Sequence, residues 1–516
     1  MRQEKRFVEL EPTENRKSVL EQLLHKGIRI ASNCGGSGIC GKCKVHFLEG
    51  APVPGEQDAA IFSKEELEAG YRLACTAYPT GKALVEVDDF EEKMHILSSG
   101  RVRRTENEKP DEIKTTTYVI VIDIGTTTLA FWLVKRETGE VICAETGRNH
   151  GVSFGADVLS RIRQAQTKNR ELLEQTLRQD VLNGIRRLWK KAKIDQEKIT
   201  DVLIAGNTTM EHFLMGFSTE KLGCYPFTPV SIDWQNLSFR ELFGSEELTC
   251  KVTVFPGISA FVGADIVAGL YDCEMEKKEG ISLFVDLGTN GEMALGNCES
   301  ILATSVAAGP AFEGGNISCG VPGIEGAIHT VKIEHGRCHY KTIGKRTPVG
   351  ICGSGVLQLT AELLKQNLMD ENGTLVEPFR ENGYKIAPGI TFLQQDVREV
   401  QLAKAAVRAG MELLLKEMGI TWGEVDTLYL AGGFGNELNV ETAVFLGIFP
   451  EQIKERIVPV GNTVLGGLQR YAMEADGKRE VDTIRKITTE INLAKQKEFE
   501  ETYLEYLPFL YNSLRK

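Results

Sequence analysis

The chain predicts a multidomain α/β and α+β protein, a small N-terminal α+β domain followed by a larger α/β region built from two similar halves. Three observations carry this reading. Residues 1–95 hold short alternating apolar runs (6–11, 44–47, 83–87), one amphipathic stretch (18–26) and Gly-rich loops between them. An apolar β-run ending in Asp-x-Gly-Thr occurs twice, as YVIVIDIGTTT at 118–128 and ISLFVDLGTN at 281–290, which marks an internal repeat. Helical periodicity (171–192, 400–418) alternates with β-branched runs (201–205, 427–430) that end in Gly-rich turns, the pattern of an α/β class.

These signals divide the chain into a domain at 1–95, a polar linker at 96–116, a first lobe at 117–275, a second lobe at 276–480 and a C-terminal extension at 481–516. At 516 residues, each domain is long enough to bury its own core. Hydrophobic residues at 42% and charged residues at 26% are ordinary for a folded globular chain. A formal charge of −12 disfavours nucleic acid as a partner, because it repels a phosphate backbone. The start MRQEKRFVEL lacks the apolar core of a signal peptide, and no run approaches the length that crosses a bilayer, so a cytoplasmic protein with no membrane partner is expected. In that compartment the twelve cysteines are expected as thiols, and the question is which of them bind metal.

The run SNCGGSGICGKCKV sets Cys34, Cys40 and Cys43 in one Gly-rich loop, and Cys75 follows after 31 residues in YRLACTAY. Four thiolates are the full ligand set of a [2Fe–2S] cluster. Three ligands from ten residues converge on so small an object only if the backbone enters the left-handed region, which Gly35, Gly36, Gly38 and Gly41 permit. Their N–H groups are free to point at the cluster, and Lys42 and Lys44 would add positive charge nearby. The alternative is a zinc site or buried cysteines, but zinc loops usually pair two CxxC knuckles and only Cys40 and Cys43 are so spaced. The other eight cysteines form no ligand pattern, and most are expected as small buried apolar residues. The loop resembles that of [2Fe–2S] ferredoxins, with five residues between the first two ligands as in the adrenodoxin type and an RLxC element at Arg72, Leu73 and Cys75. That resemblance implies a β-grasp fold.

DIGTTT (123–128) and DLGTNGE (286–292) each follow an apolar strand, so each is expected as a hairpin turn that offers N–H and hydroxyl donors to phosphate. A third element, LYLAGGFGN (428–436), stops at a double glycine that would let a purine or ribose lie against backbone. In this order the three resemble the ATPase superfamily of actin, the 70-kilodalton heat-shock proteins and sugar kinases, whose nucleotide sits between two RNase-H-like lobes. The resemblance implies that Asp123 and Asp286 hold Mg²⁺, mostly through water. Gly125, Thr126, Thr127, Thr128, Gly288, Thr289 and Asn290 would grip the phosphates of ATP, and Gly432, Gly433 and Phe434 would border the adenosine. Glu292 is a weaker candidate for orienting water, with an ordinary surface glutamate as the alternative. Gly-rich stretches at 255–270 and 461–470 suit close helix packing at an interlobe hinge, and GICGSGV (350–356) is a candidate hinge or phosphate-side contact.

A ferredoxin-type module ahead of this ATPase resembles the reductive activators of corrinoid proteins, over nearly the whole chain. CGGSGICGKC, VIDIGTTT, VDLGTNGEMA, AAGPAFEGG, DVREVQLAKAAVRAG and LAGGFG carry the resemblance. It implies ATP-dependent reduction of a corrinoid protein from Co(II) to Co(I) in methyl-transfer metabolism, with an outside low-potential donor such as a ferredoxin or flavodoxin, and it leaves a homodimer open. The linker is short beside that of relatives with a separate linker domain there. The loop at 305–319 is the first place to seek partner contact. Three rival readings are an activator of the 2-hydroxyacyl-CoA dehydratase type, which shares one four-iron cluster across a dimer, a sugar kinase with a redox sensor, and a plain electron carrier with a degenerate nucleotide fold.

Overall fold

The computed structural model describes residues 5–13, 17–28, 30, 32, 34–88, 116–493 and 497–509. The expected linker lies outside the described residues except for its last residue, and so do the side chains of Asp88, Phe434, Asn436 and Glu437.

Strands Lys5–Leu10 (β1), Lys44–Glu49 (β2), Tyr71–Leu73 (β3) and Ala83–Asp88 (β4) form a sheet in the order β1-β4-β2-β3. The expected amphipathic stretch is the helix Val19–His25, started by a capping box in which Ser18 and Glu21 exchange side-chain and backbone hydrogen bonds. Its buried Val19, Leu20, Leu23 and Leu24 join Val45, Val85 and Val87 of the sheet in one core.

Tyr118–Ile124 (β5), Thr128–Lys135 (β6), Val141–Arg148 (β7), Ile199–Gly206 (β8), Gln235–Ser238 (β9) and Lys251–Val254 (β10) form the first large sheet, ordered β7-β6-β5-β8-β10-β9. The second begins with Ser282–Leu287 (β11), Gly291–Gly296 (β12) and Ile301–Val306 (β13). An insertion then adds two small sheets, Ala327–Glu334 (β14), Arg337–Thr342 (β15) and Gly350–Ile351 (β16), and Tyr384–Ala387 (β17) with Ile390–Phe392 (β18). Thr427–Ala431 (β19), Ile457–Gly461 (β20) and Thr488–Glu490 (β21) complete the second sheet, ordered β20-β19-β11-β12-β13-β21. In each lobe a three-strand antiparallel meander is extended by two parallel strands from its first strand, β8 and β10 in one and β19 and β20 in the other. The sequence repeat is therefore a repeat of topology, the doubled RNase-H-like arrangement of the actin-like ATPases.

Three features differ from the sequence expectation. The second long helix starts at Gln394 and not near 400, because Asp396 in its first turn accepts from the Leu393 N–H at 2.7 Å and fixes an earlier start. Residues 481–516 are not simply an extension: β21 pairs with β13, and the helix Lys497–Glu505 packs on Gln394–Met418. Of the eight remaining cysteines only Cys250, Cys273 and Cys352 are buried, and Cys224 is exposed, because several of the others sit on edge strands and turns. Among the described residues no helix is long and apolar enough to cross a membrane.

The lobes meet through the helices Ala264–Asp272 and Thr463–Met473, in the two Gly-rich stretches expected at the hinge. A Cβ on Gly467 would lie 2.1 Å from the Ala268 carbonyl, so only glycine allows this approach. The ferredoxin-type sheet and the first lobe share one contiguous apolar cluster, in which Leu23 and Phe154 both take part.

Candidate functional site

The cysteine loop runs from the helix Val19–His25 to β2. Gly35, Gly36, Gly38 and Gly41 all have φ between +62° and +87°, the conformation the sequence demanded of them. The Cys43 and Cys75 sulfurs are 3.3 Å apart and buried, while Cys34 and Cys40 are half-buried and hydrogen-bonded to each other. The four thiols thus stand as two pairs. Two pairs of thiols are what a cluster of two metals with two protein ligands each takes.

The backbone is already arranged for sulfur anions. Burial pushes the Cys34 thiol up, but N–H groups of Ile39, Cys40 and Ser37, together with the Cys40 thiol, outweigh it and leave the pKa lowered. Cys43 is brought down to about 7, first by the Cys75 thiol and against burial, and Cys75 is pushed up by the same pairing. Burial keeps Cys40 above the ordinary thiol value. The Ser32 hydroxyl, in the same loop, is buried without a hydrogen-bond partner. Paired thiols with amides aimed at them are a donor set that fits a [2Fe–2S] cluster.

Behind the fourth cysteine, Arg72 is buried and donates to the carbonyls of Pro52, Leu67 and Tyr71 at 2.7–2.9 Å. The Asp58 carboxylate takes the N–H groups of Leu73 and Gly55 at 2.8 and 2.9 Å, which fixes the strand that delivers Cys75. Lys44, expected to lend charge to the cluster, instead pairs with Glu66 at 2.6 Å and lies over the Tyr71 ring. It alternates with Val45 on β2, and the pleat turns its side chain away from the core.

In the larger part, both Asp-Gly-Thr turns are hairpin turns as expected, closed by Gly125 N–H to the Thr128 carbonyl at 2.9 Å and Gly288 N–H to the Asn290 carbonyl at 3.0 Å. Asp123 and Asp286 stand next to last in β5 and β11, half-buried in the cleft between the lobes. Burial pushes both carboxyls up to about 7, with the negative charge of Asp265 adding to it at both. Asp286 is register partner to Glu292, and Ser305 donates to Glu292 at 3.3 Å. Glu292 is therefore a cleft residue and not a surface one, held well above the usual carboxylate range by burial and by Asp265 and Asp286. Thr289 donates to Glu313 at 2.9 Å, and the Thr126 hydroxyl accepts from Asn207 at 3.0 Å. Gly432 (φ +86°) starts the short helix Gly432–Glu437, and a Cβ there would lie 2.4 Å from an Asp286 oxygen. Gly433 follows in the same turn. GICGSGV spans β16 and the start of the helix Gly353–Lys365, where Gly355 packs on the Ile328 carbonyl, so it contributes to packing in the insertion.

Sequence reasoning missed four residues here. Asp265, at the start of a hinge helix, is charge neighbour to Asp286, Asp123, Glu292 and Glu211. Asn462 donates to Asp123 at 2.7 Å and Asn207 to Thr126. Both asparagines cap helices that follow strands ending in glycine, so the repeated Gly-Asn-Thr at 206–208 and 461–463 was the available signal. Glu313 lies in AAGPAFEGG and had no signal beyond its glycines.

Known proteins agree with this arrangement. The family model for the 2Fe-2S iron-sulfur cluster binding domain matches residues 3–80, that for the RACo middle region 118–278, and that for the C-terminal domain of RACo, the ASKHA domain, 280–515. The corrinoid activation enzyme RamQ of Eubacterium limosum is 33% identical over 444 residues, covering 80% of this chain and 74% of the relative. The chain belongs to the family of corrinoid-protein reductive activators. Another relative in the family, the [Co(II) methylated amine-specific corrinoid protein] reductase of Methanosarcina barkeri, is 28% identical and covers 75% of this chain and 76% of its own. The solved structure of a reductive activator for corrinoid, iron-sulfur protein superposes with a TM-score of 0.70 at 24% identity, over 98% of this chain and 97% of that one, and shows the same fold. For this family member, the dehydratase-activator reading is not favoured, since all four cysteines lie in one matched ferredoxin-type domain.

Proposed function

We propose that this family member is an ATP-dependent reductive activator that returns a corrinoid protein from Co(II) to Co(I). The observation that carries the proposal is the presence, in one chain, of two thiol pairs in an amide-lined loop and a doubled Asp-Gly-Thr cleft. Cys34 and Cys40 would hold one iron and Cys43 and Cys75 the other, and the bound cluster supplies one-electron transfer. The electron originates in a low-potential donor such as a ferredoxin or flavodoxin and ends on cobalt, one electron per turnover.

In the cleft, Asp123 and Asp286 would hold Mg²⁺ through water, since neighbouring carboxylates whose charges act on each other are the hard oxygen donors that cation takes. Asn462 keeps Asp123 turned toward the cleft. The turns closed by Gly125 and Gly288 would bring Thr126, Thr127, Thr128, Thr289 and Asn290 to the phosphate oxygens, and Gly432, Gly433 and Phe434 would border the adenosine. Glu292 and Asp265 would accept hydrogen bonds from an attacking water, and no side chain is needed as nucleophile. Nucleotide contributes to reduction only if it favours one of two arrangements, and closure of the lobes about the Gly467–Ala268 crossing would provide that pair of states.

Two variants test the division of labour. Cys40→Ala is expected to abolish the iron–sulfur absorbance and leave ATP binding within about twofold. Asp286→Ala should keep the absorbance and lower ATP turnover by about 10²-fold or more, the scale of losing a charged group aimed at the transition state. Loss of both activities in either variant, with the fold intact by circular dichroism, would refute the assignment.

A further inference from the structure

One segment of the first lobe holds both sites by hydrogen bonds. It comprises Asn149, the helical turn His150–Phe154 and the helix Val158–Ala165. On the nucleotide side it takes the three consecutive carbonyls of the first phosphate turn. Asn149 Nδ2 donates to Gly125 O at 2.9 Å, the Arg161 guanidinium to Thr126 O at 2.6 Å, and Asn149 N–H to Thr127 O at 2.9 Å. On the cluster side Ser153 Oγ donates to Ile30 O at 2.9 Å, and Gln164 Nε2 to Gly35 O at 2.6 Å. Gly35 directly follows Cys34, and a Cβ there would lie 2.9 Å from the Phe154 carbonyl.

The segment is stiff between these ends. Arg161 is 1% exposed and also donates to Gly155 O at 2.8 Å, so one buried side chain ties the phosphate turn to the residue after Phe154. Gln164 stands one helical turn beyond Arg161, and its amide oxygen is fixed by Asn169 at 2.8 Å. A peptide plane is rigid, so an N–H that turns toward phosphate moves the carbonyl of the preceding residue with it. In the first turn the carbonyls opposite those N–H groups are the ones Arg161 and Asn149 hold. At the other end, the Gly35 carbonyl held by Gln164 shares its plane with the Gly36 N–H, in the loop whose amides face the thiols.

We infer that Arg161 and Gln164 are positioning residues that link nucleotide occupancy of the first phosphate turn to the redox properties of the cysteine loop. This inference rests on the function proposed above and adds the route by which the two sites sense each other. Linkage is reciprocal: the factor by which nucleotide binds reduced and oxidised protein differently is the factor by which it moves the cluster's equilibrium.

The test uses the full-length holoprotein in an EPR-monitored potentiometric titration, with and without a magnesium complex of a non-hydrolysable ATP analogue. The expected shift for the wild type, in either direction, is about fivefold or more in the reduction equilibrium, or about 40 mV at 59 mV per tenfold. Ser153→Ala, which removes only a cluster-side bond, and Gln164→Ala, which removes the bond to Gly35 together with its support from Asn169, should each bring the shift below about twofold, with iron content and analogue affinity of the oxidised protein unchanged. Lys168→Ala, which removes only the peripheral ion pair to Glu21, should retain it. A wild-type shift below about twofold, or a full shift in Gln164→Ala, overturns the inference. If the wild type still makes Co(I) only with ATP, the proposed function survives that result, whereas a protein that binds no nucleotide or no iron takes both down.

Discussion

Asp123 and Asp286 stand next to last in equivalent strands of the two lobes, and each is pushed up to about 7 by burial first, with the charge of Asp265 adding to it. A carboxyl whose folded pKa is raised stabilises the fold below its unfolded value near 4 and loses that contribution as pH rises through about 7. The nucleotide-free protein should therefore lose stability over that window, and a bound magnesium nucleotide should restore it. Below pH 7 the cation must displace protons from both carboxyls, so affinity for Mg-ATP at pH 6 is expected to be about a hundredfold weaker than at pH 8, a factor of about ten for each, with proton release visible by calorimetry in buffers of different ionisation enthalpy. Equal affinity at both pH values would remove these carboxylates from the site. Gly432→Ala tests the adenosine turn: a methyl 2.4 Å from Asp286, at φ +86°, should weaken nucleotide binding tenfold or more and leave the iron–sulfur spectrum intact. At this scale the sequence was legible where a residue type has a single chemical use, as with the four cysteines and their glycines. It was not legible for Asp265 or Arg161, which are ordinary helix residues until topology brings them to the cleft and the phosphate turn.

The elements follow the same division. Hairpins at 118–135 and 282–296 were readable because an apolar run must reverse at Asp-x-Gly-Thr, and the helix Arg170–Ala192 because its apolar stripe is long. The strand Thr488–Glu490 was not, since three residues carry no periodicity and its partner β13 lies far upstream. Nor was the seat of the C-terminal helix, which depends on a lysine buried in Gln394–Met418. Lys404 donates to the carbonyls of Tyr506 and Pro508, at 2.5 and 2.8 Å, and lies over the Phe509 ring. Lys404→Met keeps much of the volume but leaves those acceptors unpaired, with a penalty of about 1–3 kcal/mol per buried group. Limited proteolysis is expected to cut within 497–509 at least tenfold faster in this variant. An unchanged cleavage rate would show that the apolar contacts of Phe509 suffice.

At the scale of the whole molecule, the chain sets a ferredoxin-type domain on the first of two RNase-H-like lobes through a shared apolar core, and places the cysteine loop beside the helix Val158–Ala165. The order of the domains was legible, because each carries its own motif. Their seating was not, because contacts such as Gln164 to Gly35 join residues far apart in sequence with no local signature. Family membership agrees with both halves and explains why they share a chain: a one-electron step to a low-potential metal needs a carrier and a device that changes which state of the partner complex is favoured. The most direct test mixes dithionite-reduced protein with a Co(II) corrinoid protein and follows the Co(I) absorbance with and without Mg-ATP. The account predicts that Co(I) accumulates only when Mg-ATP is present, and equal accumulation in its absence would contradict it.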